Sequence, residues 1–210
     1  MKIQENFVVF EGGDGSGTTT QLKKLKGYFE TNAVGLPPLF DTNEPTDGSI
    51  GRLLRQGLRG EIRLQSETIA FLFAADRNEH IFGPNGIQEH CNRGELVVCD
   101  RYVLSSLVYQ GITCGDEFPA RLNRDFPLPE LLIFFDLDPE IALERMDNRT
   151  QKEIFETLDF QIQVRNRYKA LLPALSVKGC QTVTIDASLP VDEVFSEVWK
   201  AMGKMPIIKR

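Results

Sequence analysis

The sequence predicts an α/β fold: a central five-stranded parallel sheet flanked by helices. Three observations lead there. Short, nearly continuous apolar runs recur, as in Phe7-Val8-Val9-Phe10, Leu96-Val97-Val98-Cys99 and Leu131-Leu132-Ile133-Phe134-Phe135. Buried parallel strands read this way because both of their faces are covered. Between the runs lie longer stretches with helical periodicity, the alternation expected of βαβ units. Finally, a glycine-rich segment separates the first apolar run from the first helical stretch.

Taken in order, strands are expected at residues 7–11, 39–42, 96–100, 131–137 and 182–186. Helices are expected at 18–31, 51–58, 66–83, 87–92, 105–110, 139–147, 156–176 and 191–202. No repeat, low-complexity tract or linker divides the chain, so residues 1–210 read as one domain. Polar residues gather just after strand ends, at Gly12 to Thr20, Asn43-Glu44-Pro45 and Arg101-Tyr102. In an open parallel sheet those carboxyl ends form the ligand crevice.

Composition narrows the partners. With 24 basic and 30 acidic residues the chain carries a net charge of −6, so neither nucleic acid nor an anionic membrane is expected as a partner. A phosphate-bearing small molecule, held by a local cluster of donors, fits better. Cysteines 91, 99, 114 and 180 form no C-x-x-C pair and read as reduced structural thiols. The N-terminus lacks a signal-peptide apolar region, and no run reaches the ~20 apolar residues of a membrane span. A cytoplasmic protein is the expectation.

Gly12-Gly13-Asp14-Gly15-Ser16-Gly17-Thr18-Thr19-Thr20 fits G-x-x-x-x-G-x-[ST] between a strand and a helix. Glycines let the backbone curl so that successive N–H groups face one phosphate, and the helix N-terminus adds partial positive charge. The Thr19 hydroxyl is placed to ligate Mg²⁺. The pattern also admits a plain βα turn with Thr18 or Thr19 as helix cap. The lysine that usually precedes the [ST] position is replaced by Thr18.

Five segments together resemble the thymidylate kinase family, in that family's order. They are Phe10 to Gly17, then ETIAFLFAADR at 67–77 and Asp100 to Gly111 (DRYVLSSLVYQG). The fourth, Pro129 to Arg145, leads toward the family's lid, and the fifth, Phe155 to Tyr168, leads out of it. The resemblance covers essentially the whole chain. It implies a P-loop NTPase-type three-layer sandwich with a short helical lid near 144–156, and a homodimer. It also implies transfer of the γ-phosphoryl of ATP to dTMP with Mg²⁺, yielding dTDP for dTTP biosynthesis.

The resemblance further implies roles for single residues. Gly12 to Thr20 would hold ATP. Phe73 would stack on thymine and Arg77 donate to its O4, the two being i and i+4 on one helix face. Asp14 would accept from the 3′-hydroxyl, Tyr109 exclude a ribose hydroxyl, Ser106 and Gln110 address the base, and Phe155 close over the nucleotide. Arg101, just past a strand end, would clamp phosphates, with Asp100 orienting it or holding Mg²⁺-bound water. Of Arg52 and Arg55, one would reach the dTMP phosphate.

Four departures from the family's motifs bear on catalysis: Thr18 for lysine, Ser16 for a loop arginine, Ile154 for a lid arginine, and Asn43 in a segment that elsewhere reads R-E-P. A hydroxyl supplies no positive charge, and losing one such group typically costs ~3 kcal/mol of transition-state stabilisation. Arg145, Arg149 and Lys152 are the candidates to replace it from the lid. A second expectation is a nucleotide-binding protein with little or no turnover.

Overall fold

The computed structural model describes residues 2–146, 155 and 157–209. Arg149, Lys152, Ile154 and Glu156, on which part of the lid expectation rests, lie outside the described residues. One sheet carries all five strands: β1 (Ile3–Gly12), β2 (Leu39–Asn43), β3 (Leu96–Asp100), β4 (Leu128–Asp136) and β5 (Gln181–Asp186). All pairings are parallel, in the order β2-β3-β1-β4-β5.

The apolar runs are continuous because successive side chains serve opposite faces. On one face Val8 and Phe10 pack with Leu25 and Phe29 of α1 (Thr18–Thr31) and Val194 and Val198 of α9 (Val191–Met202). On the other, Phe7 and Val9 meet Ile81 of α3 (Ser66–Phe82), Ile87 and Cys91 of α4 (Ile87–Asn92) and Val103 of α5 (Val103–Cys114). Leu132 and Phe134 share that side with Val164 and Tyr168 of α8 (Leu158–Val177). The remaining helices are α2 (Ser49–Leu58), α6 (Glu117–Asn123) and α7 (Pro139–Met146). Among the described residues no helix is long and apolar enough to cross a membrane.

Element boundaries depart from expectation in physically instructive places. β1 starts at Ile3, because Ile3 and Gln4 pair with Leu128 and Pro129 across a register shift before Val8. At that irregularity Asn6 takes φ 61°, and its N–H donates to Glu130 Oε2 at 2.8 Å. The polar Gln4-Glu5-Asn6 stretch carries no strand signal of its own. α5 begins two residues before the expected 105 and runs on to Cys114. The short α6, with Pro119 inside it, was not anticipated.

Glu11, at the end of β1, has no exposed surface and accepts four hydrogen bonds. Oε1 takes the N–H groups of Tyr102 (3.0 Å) and Ser105 (3.2 Å). Oε2 takes the hydroxyls of Ser105 (2.6 Å) and Tyr168 (2.9 Å). A carboxylate from the neighbouring strand thus satisfies donors at the start of α5, which no side chain of its own caps. Burial pushes the Glu11 carboxyl above its ordinary value, and bonds from Ser105 and Tyr168 and the charge of Arg101 pull it back.

At the end of β4, Asp136 receives Arg165 Nε at 2.6 Å and Lys169 Nζ at 2.8 Å, both from α8. Burial works to raise this carboxyl, but the two cations outweigh it and hold it below its ordinary value. A depressed folded value gives stability that is present above the usual carboxylate range and lost as pH falls through the folded value.

Two stability outcomes follow. Asp136→Asn should cost about 0.5–1 kcal/mol at pH 7, a small figure because Lys169 is half exposed. Urea titrations should show that deficit shrinking as the pH drops below 3.8; a constant deficit would remove the ion pairs as its cause. Glu11→Ala should cost about 2–4 kcal/mol in the same experiment, since two buried N–H groups are left without an acceptor. A loss under ~0.5 kcal/mol would show that this carboxylate does not anchor α5.

Candidate active site

A cavity of about 1000 Å³ opens at the carboxyl ends of the strands. Its wall contains the loop from Gly13 to Thr20 together with Asp100, Arg101, Ser106, Tyr109 and Gln110. Phe73, Arg77, Arg145 and Phe155 are there too, while Arg149 of the expected set lies outside the described residues. Gly12 stands just behind, its carbonyl accepting from Arg101 Nη1 at 2.9 Å.

The loop needs its glycines. Gly15 and Gly17 have φ of 79° and 92°, and a Cβ on Gly15 would lie 2.7 Å from the Ala142 carbonyl oxygen. Gly17 is the N-cap of α1, with no side-chain cap bond, so neither Thr18 nor Thr19 caps the helix. The loop-facing N–H groups of the first turn stay available to an anion. Thr18 is buried at the helix start. Thr19 Oγ1 donates to Asp100 Oδ2 at 2.5 Å, while Asp100 Oδ1 is buried without a hydrogen-bond partner among the described residues. This pair of hard oxygen ligands is suited to Mg²⁺, which usually binds one or two carboxylates plus phosphate oxygens and water. Among the described residues no cluster of three or more His, Cys, Asp or Glu offers another metal site.

Arg101 turns out of β3 with φ 69°, a conformation uncommon for a residue with a Cβ. Its N–H donates to the Phe10 carbonyl at 2.8 Å, which holds the turn against β1. The guanidinium then reaches back over the loop to Gly12 and meets Asp14 Oδ1 through Nη2 at 2.6 Å. Its Cζ lies 5.4 Å from the Tyr109 ring centroid. Tyr109 in turn packs edge-on against Phe155 at 5.8 Å, and Phe155 stacks on Phe160 at 4.8 Å. Burial pushes the Tyr109 phenol up, so it stands as a neutral hydroxyl.

Arg77 is more deeply fixed than a base-reading donor need be. It is 1% exposed. Nε and Nη2 both donate to Glu44 Oε2, at 2.9 and 2.6 Å. Nη1 donates to Ser106 Oγ at 3.1 Å and to Asn123 Oδ1. Of five N–H groups on a guanidinium, one on Nη2 is left. The rings of Tyr102 and Phe126 cover it at 5.1 and 5.7 Å. Glu44 Oε1 faces His80 Nδ1 at 3.1 Å, and His80 Nε2 faces Thr42 Oγ1 at 2.7 Å. Gln110 Oε1 is buried without a partner among the described residues.

Of the two α2 arginines, Arg55 lines the cavity and Arg52 instead bonds the Asp47 carbonyl at 2.6 Å. Arg55 is held by the Pro45 carbonyl and lies 3.6 Å from Asp47. Arg145 donates to the Ala187 carbonyl at 3.0 Å and forms no ion pair among the described residues. Sequence reasoning did not assign the partners that hold these groups: Glu11, Glu44, Asn123 and Gln161. Two carried a signal: Glu11, an acid closing an apolar run directly before the glycine loop, and Glu44, inside the polar Asn43-Glu44-Pro45 stretch after a strand end.

Comparison with known proteins agrees with this geometry. The thymidylate kinase family model matches residues 10–198. A Treponema pallidum protein provisionally named a thymidylate kinase is 40% identical over 206 residues, covering 94% of this chain and 95% of its own. A Methanococcus maripaludis protein named "Probable thymidylate kinase" is 40% identical over 209 residues, with 96% and 98% coverage. A Caldicellulosiruptor saccharolyticus protein named "Thymidylate kinase" is 38% identical over 211 residues, with 97% and 98% coverage. None of these findings supports a nucleotide-binding protein without turnover. A family model over residues 10–198, with relatives near 40% identity across almost the whole chain, means that the chain belongs to the thymidylate kinase family.

Proposed function

We propose that this chain phosphorylates dTMP with ATP and Mg²⁺, by in-line transfer within the single cavity described above. The observation that carries the reading is the gathering, in that cavity, of an uncapped phosphate loop, the Thr19–Asp100 pair, Arg101 and the Phe73–Arg77 helix. The attacking group is a phosphate oxygen of dTMP, already anionic, so no general base is needed. Catalysis then consists of positioning and charge neutralisation.

In this reading the N–H groups of Gly15 and of Gly17 to Thr20 cradle the ATP phosphates, those of Asp14 and Ser16 being held by Gln161 and Gly13. Thr19 and Asp100 Oδ1, which has no hydrogen-bond partner among the described residues, would hold Mg²⁺, directly or through water, and the ion would supply neutralising charge to the transferred phosphate. Arg101 clamps the acceptor phosphate while staying paired with Asp14, and Arg55 reaches the same end of the cavity. Phe73 stacks on thymine, with Ser106 and Gln110 beside it. The free Nη2 hydrogen of Arg77 addresses the base O4. Tyr109 leaves no room for a 2′-hydroxyl, Asp14 accepts from the 3′-hydroxyl, and Phe155 covers the nucleotide.

Thr18 supplies no charge, so Arg145 and Arg149 are assigned to the transferred phosphoryl group. The reading includes one cytoplasmic domain with a lid over 144–156, and no nucleic-acid or membrane partner. It also includes a homodimer through helices beside the sheet, where Phe71 and Phe82 of α3 are half exposed.

The deciding experiment follows ADP formation from ATP·Mg²⁺ with a panel of nucleoside monophosphates. dTMP should be the preferred acceptor, with dUMP, dCMP and dGMP lower by at least about tenfold in kcat/KM. Equal use of dCMP or dGMP would overturn the thymine assignment. Sedimentation of the same sample should give twice the chain mass; a monomer at assay concentration would remove the dimer.

A further inference from the structure

Gln161 stands on α8, far in sequence from the phosphate loop, and is 2% exposed. Its amide is engaged on three sides. Nε2 donates to Asp14 Oδ2 at 2.7 Å and to the Phe155 carbonyl at 3.0 Å. Oε1 accepts from the Asp14 backbone N–H at 3.2 Å. Two acceptors on the nitrogen side and one donor on the oxygen side fix which way the amide faces. The opposite carboxylate oxygen, Asp14 Oδ1, belongs to Arg101. Asp14 is therefore gripped by Gln161 on one side and Arg101 on the other.

We propose that Gln161 is a positioning residue for phosphoryl transfer, setting the Asp14 carboxylate and, through it, the Arg101 guanidinium. The inference rests on the reading of Asp14 and Arg101 given above and deepens it. The chemistry at position 161 is specific. A glutamine can donate to a carboxylate and accept from the N–H of the same residue, which locks both ends of Asp14 without adding charge. A glutamate there would set two carboxylates against each other, and like charges at that separation disfavour ionisation. A cation would compete with Arg101 for Asp14. An apolar side chain would leave Oδ2 and the Asp14 N–H without their protein partner. The loop is shaped for this contact, since a Cβ on Gly13 would come within 3.1 Å of Gln161 Oε1.

The test is a double-mutant cycle on the full chain with Gln161→Met, Asp14→Asn and the combined variant. Gln161→Met keeps the length of the side chain and removes every hydrogen bond. Steady-state kinetics are read with dTMP and with its 3′-deoxy analogue, alongside the melting temperature. Gln161→Met is expected to lower kcat/KM for dTMP by about tenfold to a hundredfold, the weight of a hydrogen bond to a charged group. It should also narrow the preference for dTMP over the 3′-deoxy analogue, and add little to Asp14→Asn. Losses that multiply independently would overturn the inference, as would a lower melting temperature with unchanged kinetics. If Asp14→Asn alone leaves the 3′-deoxy preference intact, the sugar contact of Asp14 falls, and the coupling in the cycle still decides Gln161. Should Gln161→Met fail to fold, Gln161→Glu carries the same cycle and should lose at least as much activity.

Discussion

A carboxylate sealed from solvent joins the two halves of the site. Glu11 closes the strand that launches the phosphate loop, and its two oxygens hold the start of the helix that carries Ser106, Tyr109 and Gln110. It secures the residue after the Arg101 turn, while the Arg101 N–H itself is held by the Phe10 carbonyl. The backbone there already adopts a conformation that costs energy for a non-glycine residue, and such a conformation persists only where its surroundings over-determine it. The Tyr168 hydroxyl adds α8 to the same knot. Loop, clamp and back wall are therefore set by one buried acceptor and its four donors.

The loop shows how phosphate can be addressed with little fixed charge of its own. Backbone N–H groups and a helix start supply partial positive charge, and neutral Thr18 fills a buried position where other loops carry a cation. Full charges stand around the rim, with Arg101 on the β3 side and Arg145 on the β5 side, beside the Ala187 carbonyl. A cation on the rim can be aimed by its neighbours in a way that a loop lysine cannot. This division agrees with the acidic net charge of the chain, since attraction for phosphate is local.

Much of the fold was legible because parallel strands covered on both faces leave an unmistakable pattern. Phe7 to Phe10 and Leu131 to Phe135 could hardly be anything else, and the glycines at 15 and 17 announced left-handed backbone. The residues that hold the site were not legible. Gln161 and Asn123 act only through tertiary contacts, and nothing in their neighbours along the chain marks them; Glu44 stands in a marked strand-end stretch, but its partner Arg77 is a tertiary neighbour. α6 is short and contains Pro119, so it carries no periodic signal. Arg77 was placed on the right face of its helix, yet its role as the centre of a buried network depends on three elements the sequence does not connect. Thr19 was read either as a metal ligand or as a cap; its bond to Asp100 and the bare Gly17 exclude the cap.

The anchoring of Arg77 limits how such a pocket can change over evolutionary time. Glu44 from the loop after β2, Ser106 from α5 and Asn123 from α6 all spend polar groups on one guanidinium. Replacing that arginine strands a buried carboxylate, and an uncompensated buried charge costs ~3–5 kcal/mol. That is a large share of the ~5–15 kcal/mol by which a domain of this kind is stable. Change at this position would remove much of the margin that keeps the domain folded. Loss of Arg77 would call for a matching change at Glu44, whose Oε2 accepts two of the guanidinium's hydrogen bonds. On the reading of Arg77 proposed above, the cost of unfolding guards the choice of base along with the reaction.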